Sequence, residues 1–132
     1  MLTKSTNTDT IHDLSPEQLN ALLDSTLQQT FNLPMFRPGQ REAITTLLTH
    51  GRLLCIQPTG HGKSLLYQLP ATLLPGITLI VSPLLALMRD QIYQLNTRFN
   101  IPAASINSDQ TEQENFHAQQ QALKGQIKLL FV

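Results

Sequence analysis

Residues 52–69 read RLLCIQPTGHGKSLLYQL, and the succession of apolar run, Gly-rich loop and second apolar run decides the fold. Residues 52–56 read as a short buried strand and residues 63–69 as the start of a helix, with QPTGHGKS between them. That loop matches the phosphate-cradling pattern G-x-x-x-x-G-K-[ST] at every element except the first Gly, which is Gln57. Gly60 and Gly62 have no Cβ, so they permit φ above zero and let successive N–H groups curl around a phosphate. Lys63 is then placed to reach the β/γ-phosphates as the expected catalytic residue, and the Ser64 hydroxyl to hold Mg²⁺. An ordinary Gly-rich turn would need no Lys at a helix start, where a cation opposes the helix dipole unless an anion occupies the site. ATP with Mg²⁺ is the expected ligand, and Thr59 and His61 line the same loop, His61 through its backbone.

The surrounding composition narrows the possibilities. A chain of 132 residues is long enough to bury one core. Nine basic and nine acidic residues leave a formal net charge of zero, so no basic stripe advertises nucleic acid, and any such role must come from motifs. The single cysteine, Cys55, lies in the expected strand as a small buried apolar residue. One Cys permits no internal disulfide, which suits a reducing cytoplasm. His12, His50, His61 and His117 show no metal-ligand spacing. Residues 1–13 lack an apolar signal-peptide core and read as a polar, disordered lead-in. Residues 64–88 carry no charge and are long enough to span a bilayer, but Pro70, Pro75, Gly76 and Pro83 divide them into turn-bounded pieces, which argues against a membrane segment.

Upstream of the loop, Ser15, Pro16 and Gln18 form a helix-start signature, with Leu14 and Leu19 as a hydrophobic staple and Leu19, Leu22, Leu23 and Leu27 on one apolar face. A second helix is expected over 38–50, stopped by Gly51. Downstream the pattern alternates: strand 53–56, helix 63–73, strand 77–81, helix 84–97, strand 103–106, helix 109–124, strand 127–132. This predicts an α/β fold, a parallel sheet of about four strands with flanking helices. Ligands of such sheets bind at the carboxyl ends of the strands. The Gly-rich loop, Ser82 and Asn107-Ser108 are all expected at that edge.

Two further segments carry polar residues that a bland reading leaves unexplained. FRPGQ (residues 36–40) opens the second helix, and its Gln offers the donor and acceptor needed to read the N6/N7 edge of adenine. VSPLLALMRDQ (residues 81–91) reads as strand end, Ser-Pro turn and amphipathic helix, with Leu84, Leu87, Met88, Ile92 and Leu95 expected in the core. Ser82, Arg89 and Gln91 are left over.

In this order and at these spacings, FRPGQ, QPTGHGKSLLYQLPA, VSPLLALMRDQ and ASINS resemble the RecQ family of superfamily 2 DNA helicases over residues 31–132. The resemblance implies the N-terminal part of a RecA-like motor domain, covering residues 14–132, that uses ATP to move along single-stranded DNA and unwind duplexes. It assigns Arg37 and Gln40 to adenine, and Ser82, Arg89, Gln91, Asn107 and Ser108 to the nucleic-acid strand. Leu33 stands where the family places an aromatic beside the base.

The family also needs a Walker B carboxylate pair to hold Mg²⁺ and activate water, and no acidic residue here follows a buried strand-like run. The expectation is therefore a chain truncated before its DExH box, binding nucleotide without efficient hydrolysis, whose last strand pairs with the missing remainder or with another chain. Two other readings remain open: a stand-alone nucleotide-binding or interaction module, and a small P-loop kinase.

Overall fold

The computed structural model describes residues 11–56 and 62–132, which fall into two compact units divided between Pro75 and Gly76. The first is helical. α1 (Pro16–Phe31) begins where its sequence predicts: the Ser15 hydroxyl accepts the Gln18 N–H at 3.1 Å, and the Gln18 side chain accepts the Ser15 N–H at 2.9 Å. Two of the four orphan N–H groups of this end are thereby satisfied. Leu19, Leu23, Leu27 and Phe31, four residues apart, form its buried stripe. Asn32 closes the helix in the left-handed region, at φ 56°. Ile11, inside the expected lead-in, is buried, and residues 1–10 lie outside the described residues.

α2 (Gln40–His50) follows Gly39, at φ 87°, and ends on Gly51, at φ 76°, whose N–H reaches the Leu47 carbonyl at 2.9 Å. Ile44 and Leu48 form its buried face. α3 (Leu65–Leu73) buries Leu65, Leu66, Leu69 and Ala71 and runs through Pro70.

Residues 52–56 do not form the expected strand. A strand exists only when its N–H and C=O groups find a ladder partner, and none is present for this segment among the described residues. Leu54 and Ile56 are 85% and 87% exposed, and Cys55 is half-buried rather than part of a core strand. The sheet has three strands among the described residues, and the α/β class stands.

The second unit alternates β1 (Thr78–Ile80), α4 (Leu85–Thr97), β2 (Ala103–Ser105), α5 (Glu112–Leu123) and β3 (Leu129–Phe131). All pairings are parallel, in the order β1-β3-β2, with Leu129 opposite both Thr78 and Ala103. Each strand is joined to the next through a helix, as parallel pairing demands. β3, flanked on both edges, is the buried centre, with Leu129, Leu130 and Phe131 all inside.

Met88 and Leu95 anchor α4 in this core, but Leu84 and Leu87 are 59% and 47% exposed, contrary to expectation. Leu84 precedes the helix, at φ −97° and ψ 89°, and Leu87 lies a quarter-turn away from the Met88 stripe. α5 starts three residues later than expected because Thr111 and Glu114 form its capping box.

β2 is an edge strand, and side chains occupy its outer rim. Asn96 accepts the Ala103 N–H at 2.9 Å and donates to the Ala103 carbonyl at 3.1 Å. Gln110 donates to the Ser105 carbonyl at 2.8 Å, and Asn115 donates to the Asn107 carbonyl at 3.0 Å and accepts its N–H at 3.2 Å.

Candidate nucleotide and strand sites

In the helical unit the site is built around the start of α3. Thr59, Gly60 and His61 lie outside the described residues. Gly62 adopts φ 77°, the left-handed conformation expected of it. Lys63 is exposed and Ser64 half-buried. Ser64 occupies the N-cap position in helical conformation, its side chain makes no capping bond, and the first turn holds no acidic residue. Among the described residues no acid or hydroxyl caps the start of α3; the Leu66, Tyr67 and Gln68 N–H groups reach the Lys63 and Ser64 carbonyls, and the positive end of the helix dipole lies beside a Lys.

FRPGQ is physically joined to this loop. Gln40, only 4% exposed, accepts the Arg37 N–H at 2.8 Å and donates to the Gly62 carbonyl at 3.2 Å. A Cβ at Gly62 would lie 2.5 Å from Gln40 Nε2, so glycine there serves both the backbone angle and the close approach of this amide. Arg37, Gln40 and Gly62 are therefore brought together, with Gln40 acting as a brace. Arg41, one position on, packs over the Phe36 ring at 4.9 Å and pairs with Asp24 at 2.5 Å, tying the motif to α1.

In the sheet unit, two of the three loops expected at the strand ends share an edge. The Ser82 N–H reaches the Val132 carbonyl at 3.2 Å, and the Ile106 N–H the Phe131 carbonyl at 3.0 Å, so Ser82 and Asn107-Ser108 flank the carboxyl end of β3. The Ser82 hydroxyl accepts the Leu84 N–H at 3.2 Å, shaping the turn into α4. Arg89 donates to Asp109 at 3.0 Å, which draws α4 onto the Asn107 loop. Gln91 is half-buried and Ser108 exposed.

Sequence reasoning missed Asp109, Gln110 and Asn115. Asn107 Oδ1 accepts the Asp109 N–H at 3.0 Å, an Asx turn that the run N-S-D ahead of a T-x-x-E cap signals in retrospect.

Among the described residues no helix is long and apolar enough to cross a membrane, and no group of three or more His, Cys, Asp or Glu could hold a metal ion.

Residues 37–132 match the DEAD/DEAH box helicase family. The chain is 43% identical over 108 residues to the ATP-dependent DNA helicase RecQ of Haemophilus influenzae, covering 82% of this chain and 17% of that protein. It is 47% identical over 92 residues to the probable ATP-dependent DNA helicase RecS of Bacillus subtilis, covering 70% and 18%. Over 124 residues it is 39% identical to the ATP-dependent DNA helicase Q-like 5 of Arabidopsis thaliana, covering 94% and 13%. It thus spans less than a fifth of the length of each of these three relatives. With FRPGQ braced against Gly62 just ahead of α3 and two loops flanking one end of a parallel sheet, the chain belongs to the DEAD/DEAH box helicase family, where it is homologous to the ATP-binding part of RecQ helicases.

Proposed function

We propose that this chain binds ATP as the nucleotide-binding portion of a RecQ-like DNA helicase. The observation that carries the reading is the start of α3, with a left-handed Gly62, an exposed Lys63, no acid in the first turn and no side-chain cap. Thr59, Gly60, His61, Gly62 and Lys63 cradle the phosphates, and Lys63 neutralises the β/γ charge. The Ser64 hydroxyl holds Mg²⁺, which supplies further neutralisation of the phosphates when bound. Arg37 meets the base, and Gln40 couples that segment to the phosphate loop through Gly62.

Ser82, Arg89, Gln91, Asn107 and Ser108 contact a DNA strand. Arg89 serves a phosphate, and the hydroxyl and amide groups position the backbone. In the whole protein this binding drives unwinding of duplex DNA. The 132 residues themselves bind nucleotide with little turnover, because a Walker B carboxylate pair is not among them.

Titration of a fluorescent ATP analogue against the wild type and Lys63→Ala tests the site. A charge-assisted hydrogen bond contributes ~1.5–3 kcal/mol, so the variant should bind roughly ten- to a hundredfold more weakly. Equal affinity for both proteins sinks the nucleotide reading.

A further inference from the structure

We propose that Asp109 sets the affinity of the strand contact by competing with DNA phosphate for Arg89. This rests on the reading of Arg89 as a strand contact. Arg89 Nη2 and Asp109 Oδ2 are 3.0 Å apart, with the two side chains 70% and 47% exposed. A phosphate presented to α4 therefore meets a guanidinium that already has a carboxylate partner.

The two partners differ in freedom. Asp109 sits on an over-determined loop. Its own N–H is held by Asn107, the Asn107 backbone is held at both N–H and C=O by Asn115, and Gln110 is bonded to Ser105 and to Asn115. The capping box of α5 starts at the residue after Gln110. Asp109 therefore stays where it is, and Arg89, on a long exposed stem, is the side that pivots. Guanidinium has five N–H donors and recognises carboxylate and phosphate with the same fork, so exchange of one anion for the other needs no backbone movement. The carboxylate also lies beside Asn107 and Ser108, where a strand backbone would pass. It thus opposes phosphate twice, by occupying Arg89 and by its own charge, and the two effects are separable by a mutant cycle.

Fluorescence anisotropy of a labelled oligothymidylate with the full chain at low salt tests this, using Asp109→Asn, Arg89→Ala and the double variant. An exposed ion pair contributes ~0.2–1 kcal/mol, so Asp109→Asn should tighten binding by a factor of about 1.4 to 5 in the wild-type background and by a clearly smaller factor when Arg89 is absent. Arg89→Ala should weaken binding and lower the slope of log affinity against log salt by about 0.7. Asp109→Glu should restore wild-type affinity.

Equal tightening with and without Arg89 overturns the competition and leaves only charge removal. If Arg89→Ala weakens binding but Asp109→Asn changes nothing, the proposal fails while the strand reading survives. Absence of binding by every variant removes both.

Discussion

The helices of this chain divide by how they begin. α1 and α5 start with complete capping boxes, Ser15 with Gln18 and Thr111 with Glu114. α2, α3 and α4, which carry FRPGQ, GKS and SPLLALMRDQ, have no side-chain cap at all. The capped pair satisfy their orphan N–H groups within their own sequence and serve as scaffold. The motif helices do without that stabilisation, typically ~1 kcal/mol each, and no side chain of their own closes the helix start. In α2 the Gln40 amide bonds outward to Arg37 and Gly62 rather than inward to its own helix.

The contrast is broken most severely at Gly62. Gly62→Ala places a Cβ in the left-handed region and 2.5 Å from Gln40 Nε2. The backbone strain and the displaced amide together should cost about 2–4 kcal/mol, read by urea denaturation, with loss of nucleotide binding. Gln40→Ala keeps the backbone and removes only the brace; an expected loss of about 1–3 kcal/mol with weakened binding would separate the two roles of Gly62.

On the scaffold side, Thr111→Ala and Ser15→Ala should each cost about 1 kcal/mol without changing nucleotide affinity. Lys63→Asp should do the reverse. An acid near the start of α3 suits its dipole, so the free protein should gain ~0.3–1 kcal/mol while nucleotide binding disappears. A destabilised Lys63→Asp would mean that the start of α3 does not favour an acid.

The smallest effect is one of pH. The Thr111 backbone N–H, and after it the Thr111 hydroxyl, hold the Glu114 carboxyl below its ordinary range. A lowered folded value means that the cap is fully present above the ordinary carboxylate value and lost as pH falls through the folded one. Glu114→Gln should flatten that part of an acid denaturation curve.

Local signals were the legible ones. Ser15-Pro16-Gln18 and Gly51 act on neighbours in sequence, and their helices begin or end as read. The strand at 52–56 was not legible, because an apolar run states a need for burial but not the presence of a ladder partner. Leu84 and Leu87 failed similarly: their spacing suits a helix face, yet which face is buried depends on where the helix starts. Gln40 reads as a base contact from its chemistry, whereas its place beneath Gly62 depends on two segments 22 residues apart meeting. Asn96, Gln110 and Asn115 carry no pattern, since each grips a backbone group whose nearness only the fold creates.

Those three amides bear on association. An exposed edge strand normally offers a row of N–H and C=O groups to any passing chain, the start of cross-β growth. Along β2 and just beyond it, both backbone groups of Ala103 and Asn107 and the carbonyl of Ser105 already have intramolecular partners, so this rim gives an incoming strand little to bond. The Ala103 and Asn107 amide protons should exchange slowly with solvent although they lie at a sheet border, and replacing Asn96 should turn a quiet border into an adhesive one.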